Sequence, residues 1–153
     1  MQRTVVLLKP DALQRGLVGE IIHRFERKGL KLVALKMIKI SDALLEEHYA
    51  HHKDKSFFKT LKKFMSSAPI VCMLWEGLDA VSVGRRMAGL TSGREAELES
   101  IRGDFSMSQS TNIVHVSDSI AAAREEEVRF FDKSEIFDWQ NVVSPYLYSE
   151  DEV

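Results

Sequence analysis

Four short runs of aliphatic and β-branched residues set the architecture of this chain, because each is closed by a turn or capping signal and followed by a helical stripe. Thr4-Val5-Val6-Leu7-Leu8 reads as a buried strand that ends where Pro10, lacking an N–H, opens a turn at Lys9-Pro10-Asp11. Val18, Ile21, Ile22 and Phe25 then recur at helical spacing with Gly29 as the stop, which predicts a helix over 17–28. Leu30 to Ile40 reads as a longer strand, partly solvated at Lys31, Lys36 and Lys39. Ser41 and Asp42 cap a short helix bearing Leu44, Leu45, His48 and Tyr49, and a second stripe follows at Phe57, Phe58, Leu61, Phe64 and Met65. Pro69 precedes a third strand over 70–75, and Asp79 then caps a helix that buries Ala80, Val83, Gly84 and Met87 before Gly89.

Leu90 to Ser110 shows no periodicity, and ordered loops of that length are often functional. Asn112 to Val116 is the fourth strand; beyond it Ile120, Ala123, Val128 and Phe131 share a helix face capped by Ser117, Asp118 or Ser119. Setting the extra helices aside, the order is β-α-β-β-α-β. That predicts an α+β fold, a ferredoxin-like βαββαβ sandwich with helices covering a four-stranded antiparallel sheet.

The chain of 153 residues is long enough for one domain with a real core, so 1–153 is expected to be a single unit. Residues from about 140 to 153 read as a C-terminal extension with a frayed acidic end. A net charge of −2 gives no footprint of a general nucleic-acid binder, so a polyanionic ligand needs a local cluster of cations. Cys72 is the only cysteine and lies in an apolar run, which excludes an internal disulfide. The N-terminus lacks a signal-peptide pattern and no apolar stretch reaches the length of a membrane span, so a cytoplasmic protein is expected.

The chemistry centres on Asn112-Ile113-Val114-His115-Val116-Ser117-Asp118-Ser119, where one histidine sits in an apolar strand just before a helix start. Neutral imidazole is a good nucleophile and, with an ordinary pKa near 6.5, roughly three quarters is neutral at pH 7. A phosphorylated imidazole is also a good leaving group, so one residue can accept and then donate a phosphoryl group. A triphosphate brings charge that only cations and backbone donors can hold, and the chain offers Lys9, Arg85, Arg86 and Arg102. It contains neither a GxxxxGK[ST] loop nor a GxGxxG pattern. His48 and His52 could share a helical face beside His51, but no third ligand pairs with them, so no protein metal site is expected. His23 lies beside core positions and is given no role.

Arg3-Thr4, Lys9-Pro10-Asp11, Gln14-Arg15-Gly16-Leu17, Ile101-Arg102-Gly103-Asp104-Phe105 and the octapeptide, in that order, resemble the nucleoside diphosphate kinases. Phe25-Glu26-Arg27-Lys28-Gly29, Glu47-His48-Tyr49 and Trp75-Glu76-Gly77 are similar to that family too, so the likeness runs from about residue 2 to 138. It implies a kinase of nucleotide metabolism, a transferase that moves the γ-phosphoryl group from a nucleoside triphosphate to a nucleoside diphosphate by a ping-pong route. His115 would be the phosphohistidine. Lys9, Tyr49, Arg85, Thr91, Arg102 and Asn112 would contact phosphates and ribose, and Phe57 would lie against the base, whose π-face any nucleobase provides. Ser117 and Glu126 would orient the imidazole. Only the resemblance selects Phe57 over Phe58 and Arg85 over Arg86. It further implies ATP as a donor, Mg2+ carried in by the nucleotide, and a homo-oligomer, a hexamer first with tetramer or dimer as alternatives, but neither a membrane nor a specific nucleic acid as partner.

The family usually has glycine or alanine after the nucleophile, where this chain has Val116, whose bulk would narrow the phosphate's approach. Thr-Asn-Pro and Pro-Gly-Thr are replaced by Thr91-Ser92-Gly93 and Leu98-Glu99-Ser100, which loosens the loop and adds Glu95, Glu97 and Glu99. These changes predict an active kinase with weakened nucleotide affinity or altered assembly. The alternative is a catalytically weak nucleotide-binding or scaffold protein of the same fold. The presence of His115, Lys9, Arg102 and Asn112 together argues against it. A helical signalling phosphotransfer module would carry its histidine on a helix rather than at a strand end.

Overall fold

The computed structural model describes residues 1–152, with strands β1 (Gln2–Leu8), β2 (Lys31–Ile38), β3 (Ile70–Gly77) and β4 (Val114–Val116). Helices are α1 (Pro10–Gln14), α2 (Val18–Arg27), α3 (Asp42–His48), α4 (Phe58–Met65), α5 (Ala80–Ala88), α6 (Ile101–Phe105) and α7 (Ile120–Phe130). The strands form one antiparallel sheet in the order β2-β3-β1-β4, so the expected ferredoxin-like α+β sandwich is the fold observed. β1 pairs with β3 from Gln2↔Gly77 to Leu8↔Val71, whereas β4 meets it only from Val6↔Val116 to Leu8↔Val114.

Alternation along β1 divides the core in two. Val6 and Leu8 face a cluster with Phe25, Trp75, Ile113 and Val116 beneath α2 and α5. Val5 and Leu7 face the other, with Leu45, Leu61, Leu74 and Phe130 beneath α3, α4 and α7. His115 pairs with Leu7, so it looks toward the second layer while Val114 and Val116 are buried in the first. The expected crowding by Val116 is therefore corrected. Its side chain lies on the far face of the sheet, where a Cβ added to Gly84 of α5 would come within 3.0 Å of its Cγ1.

Local differences from the sequence reading have identifiable causes. The turn expected at Lys9-Pro10-Asp11 is the first turn of α1, with Lys9 at the N-cap position and Pro10 where a missing N–H costs nothing. The aperiodic stretch 90–110 contains α6, capped by the Ser100 hydroxyl, which accepts from Gly103 N at 3.1 Å; five residues are too few to show a period. Asp79 occupies the N-cap position of α5 at φ 48 but makes no capping bond, and its carboxylate accepts from Gln2 Nε2 instead. α7 is rotated from the expected phase. Ala123, Glu126 and Phe130 face inward, whereas Val128 is 82% exposed and Ile120 46% exposed. The Ser119 hydroxyl caps it by accepting from Ala122 N.

Beyond α7 the chain runs along the outer edge of β2. Phe137 N donates to Val33 O at 2.8 Å and the Trp139 indole donates to Leu32 O at 3.0 Å. Leu147 covers Gly29, whose φ of 94 makes it the natural end of α2. The Tyr148 hydroxyl accepts from Leu78 N at 3.4 Å. Val153, the last residue of the acidic end, lies outside the described residues.

Candidate active site

The ends of β1 and β4 come together beneath α3 and α7 and open on a cavity of about 520 Å3. Eight of the ten residues singled out in the sequence line it: Lys9, Tyr49, Arg85, Thr91, Arg102, Asn112, His115 and Glu126. Ser117 lies beneath Glu126, out of the cavity wall. Phe57 is not brought to the lining; it is 45% exposed at the start of α4, edge-on to His52 at 5.2 Å.

His115 is held on one side only. Its Nε2 lies 2.8 Å from Glu126 Oε1, and the Ser117 hydroxyl donates to Glu126 Oε2 at 2.6 Å. Ser117 Oγ in turn accepts from Val5 N at 3.0 Å, which ties the carboxylate to the central strand. Burial pushes the Glu126 carboxyl up, but the hydrogen bonds from His115 and Ser117 outweigh it and hold it below the ordinary carboxylate value. An ionised Glu126 accepts a proton-bearing Nε2, and the imidazole lone pair is then left on Nδ1.

Sequence reasoning missed the neighbour of this pair. His48 crosses the His115 ring at 83° with centroids 4.6 Å apart, and also meets Tyr49 and Phe130 edge-on. Desolvation by burial, then the nearby His115, drives its pKa down to about 2, so it is a neutral wall. Its place in the apolar stripe of α3 signalled burial, but nothing in the spacing signalled contact with residue 115. His48, His115 and Glu126 are the only metal-competent group among the described residues, with ligating atoms within 4.8 Å of one another. Two of its members already bond to each other.

The opposite wall is cationic. Lys9 Nζ donates to Asn112 Oδ1 at 2.5 Å, and the Asn112 amide donates to Thr91 O and Gln109 O, both at 2.8 Å. Arg102 donates to Gly89 O at 2.6 Å and Val114 O at 2.8 Å, while its Nε is buried without a partner. Arg85 pairs with Asp118 at 3.0 Å across the mouth. Burial, then the neighbouring Arg102, lowers Lys9 to about 8; burial, then Arg85, lowers Arg102 to about 10. Three cations packed together, with Asp118 at the rim and Asp11 behind Lys9 as their counter-carboxylates, suit a polyanion. The Tyr49 hydroxyl is buried without a partner, and burial raises its pKa. Glu95, Glu97 and Glu99 are exposed and none reaches the lining.

The sequence model of the nucleoside diphosphate kinase family matches residues 2–136. The chain belongs to that family. Its relatives include a nucleoside diphosphate kinase of Parabacteroides distasonis, 51% identical over 99% of both chains. Another, from Staphylothermus marinus, is 54% identical over 90% of this chain and 98% of its own. Among solved structures, a halophilic nucleoside diphosphate kinase from Halobacterium salinarum in complex with CDP superposes with a TM-score of 0.94. It shares 42% identity, over 96% of this chain and 98% of that one. A family protein from Babesia bovis gives 0.93 at 44% identity, over 97% of this chain and 100% of its own. The fold and the order of the motifs in this chain are thus those of the nucleoside diphosphate kinases.

Proposed function

We propose that the chain is an active nucleoside diphosphate kinase, one catalytic domain that relays a phosphoryl group through His115. The observation that carries this reading is the one-sided hold on the imidazole: Nε2 is engaged by Glu126 at 2.8 Å, and the ring lines a cavity walled by Lys9, Arg85 and Arg102. Nδ1 attacks the γ-phosphorus of a nucleoside triphosphate. The Nδ1–P bond forms, the bond from phosphorus to the bridging oxygen breaks, and the nucleoside diphosphate leaves with that electron pair. Glu126 stabilises the positive charge that grows on the ring, and Ser117 keeps the carboxylate in place. A second nucleoside diphosphate reverses the step and carries the group away.

Lys9, Arg85 and Arg102 bind and align the phosphates, Asn112 and Thr91 fix Lys9 and the loop beside them, and Tyr49 offers its unpartnered hydroxyl. Phe57 does not line the cavity, but it is half exposed against His52, which does, and that supports its aromatic face as the partner of a base. Of the cavity's four carboxylates, Glu47, Asp118 and Glu126 pair with Arg129, Arg85 and His115, which among the described residues leaves only the exposed Glu125 without an ion pair, so the residues suit Mg2+ arriving on the nucleotide rather than held by protein. That ion would neutralise phosphate charge. Leu35 and Met37, 51% and 66% exposed on the edge strand, support a homo-oligomer, a hexamer first. No described helix is long and apolar enough to cross a membrane, in keeping with a cytoplasmic enzyme.

Incubation with γ-labelled ATP should yield an acid-labile, alkali-stable phosphoprotein that passes its label to GDP. No label on the wild-type protein, or label that persists in His115→Ala, overturns the reading. A light-scattering mass tests the assembly.

A further inference from the structure

Ile113 sits at the centre of a tight turn: Val114 N donates to Asn112 O at 2.8 Å across it, and its φ is 73. A β-branched, fully buried residue in the left-handed region is strained and persists only where its surroundings hold it. Both of its backbone polar groups are held by the segment 9–11. Lys9 N donates to Ile113 O at 2.9 Å, and Ile113 N donates to Asp11 Oδ2 at 2.9 Å. The residue before the turn, Asn112, accepts from Lys9 Nζ, and the residue two beyond is His115.

We propose that Asp11 is a positioning residue for phosphoryl transfer, its buried carboxylate clamping the Ile113 turn and so fixing His115 and Asn112 relative to Lys9. This rests on the kinase reading above. Helix capping does not account for Asp11, because the N-cap position of α1 belongs to Lys9 and no side-chain cap bond is made there. Asp11 is 8% exposed, and its Oδ1 has no hydrogen-bond partner. A buried carboxylate with one oxygen unpaired is expensive unless its other oxygen does something indispensable. Its charge has a second use. Lys9 shares its surroundings with Arg102 of α6, His48 of α3, and Asn112 and His115 at β4, and Asp11 is the acidic group that supports its ammonium against burial and Arg102.

Two substitutions in the full chain separate these uses. Asp11→Ala removes the acceptor, and single-turnover phosphorylation of His115 by ATP should slow about ten- to a hundred-fold, while ADP affinity changes less than about threefold. Asp11→Asn keeps an oxygen for Ile113 N and places an amide where Oδ1 has no partner. Its rate at neutral pH should stay within about threefold of wild type, with the alkaline fall in kcat/KM moved to lower pH because Lys9 has lost its counter-charge. Amide hydrogen exchange at Ile113 should be slow in the wild type and in Asp11→Asn, and fast in Asp11→Ala. A wild-type rate in Asp11→Ala, an Asp11→Asn as slow as Asp11→Ala, or an Ile113 amide equally protected in all three overturns the proposal. If Asp11→Ala does not fold, Asp11→Asn decides: phosphorylation slowed more than about tenfold while Ile113 exchange stays slow overturns the proposal. A wild-type chain that forms no phosphohistidine defeats the kinase reading instead, and the Ile113 exchange still tests the clamp.

Discussion

Glu126 is a carboxylate set among apolar side chains on the inward face of α7, 6% exposed and bonded through both oxygens. Glu126→Gln keeps the size but loses the charge that, on the proposed relay through His115, fixes the tautomer and stabilises the growing imidazolium. We expect kcat to fall about a hundredfold with KM little changed, read from steady-state transfer to GDP. Lys9, lowered to about 8 by burial and then by Arg102, loses its charge as pH rises through that value. The free-enzyme profile, kcat/KM, should therefore decline above about pH 8, and kcat at higher pH, because bound phosphates favour the ammonium. His48 gives a stability prediction. Its folded value of about 2 lies below the ordinary 6.5, so the unfolded chain takes up the proton first, and stability present above 6.5 is lost as pH falls. Replacing it by Phe should remove about 2–3 kcal/mol of the loss between neutral pH and roughly pH 4.5, measured by denaturant unfolding at both.

At the scale of elements, β4 and α5 meet most closely at Val116 and Gly84. Val116 fills the space that glycine at position 84 leaves, 3.0 Å from where a Cβ would stand. Gly84→Ala alone should cost about 1–2 kcal/mol and Gly84→Ala with Val116→Ala less than the sum of the two, a coupling readable in a double-mutant cycle. The strands were legible because each is a block of β-branched and aliphatic residues, and α2 to α5 because their stripes are long enough to show a phase. α6 was not, being shorter than two turns. α7 misled because its inward face carries Glu126, a charge that hydrophobic periodicity assigns to solvent. β4 begins two residues late because Ile113 takes a positive φ, which no residue type announces in a β-branched side chain. Lys9, Arg102, Asn112 and His115 do converge as the motifs implied, whereas the contacts of His48 and Asp11 depend on long-range register that spacing does not contain.

For the whole molecule, the arrangement separates stability from chemistry. The segment after α7 braces β2 and the end of α2, and none of its residues lines the cavity between β1, β4, α3 and α7. A chain ending at Asp138 should therefore melt several degrees lower, at about 2–4 °C per kcal/mol for a domain of this size, and keep kcat/KM within about twofold. A truncated chain that melts normally, or one that loses phosphotransfer at an unchanged mass, contradicts this division. The tryptophans fall on either side of it. Trp75 is fully buried and stacked on Phe25 at 5.3 Å, whereas Trp139 is 48% exposed on the brace. Emission from the first should be blue and shielded from quenchers, that from the second red and accessible, so peeling of the brace and collapse of the core can be followed in two colours from one cuvette.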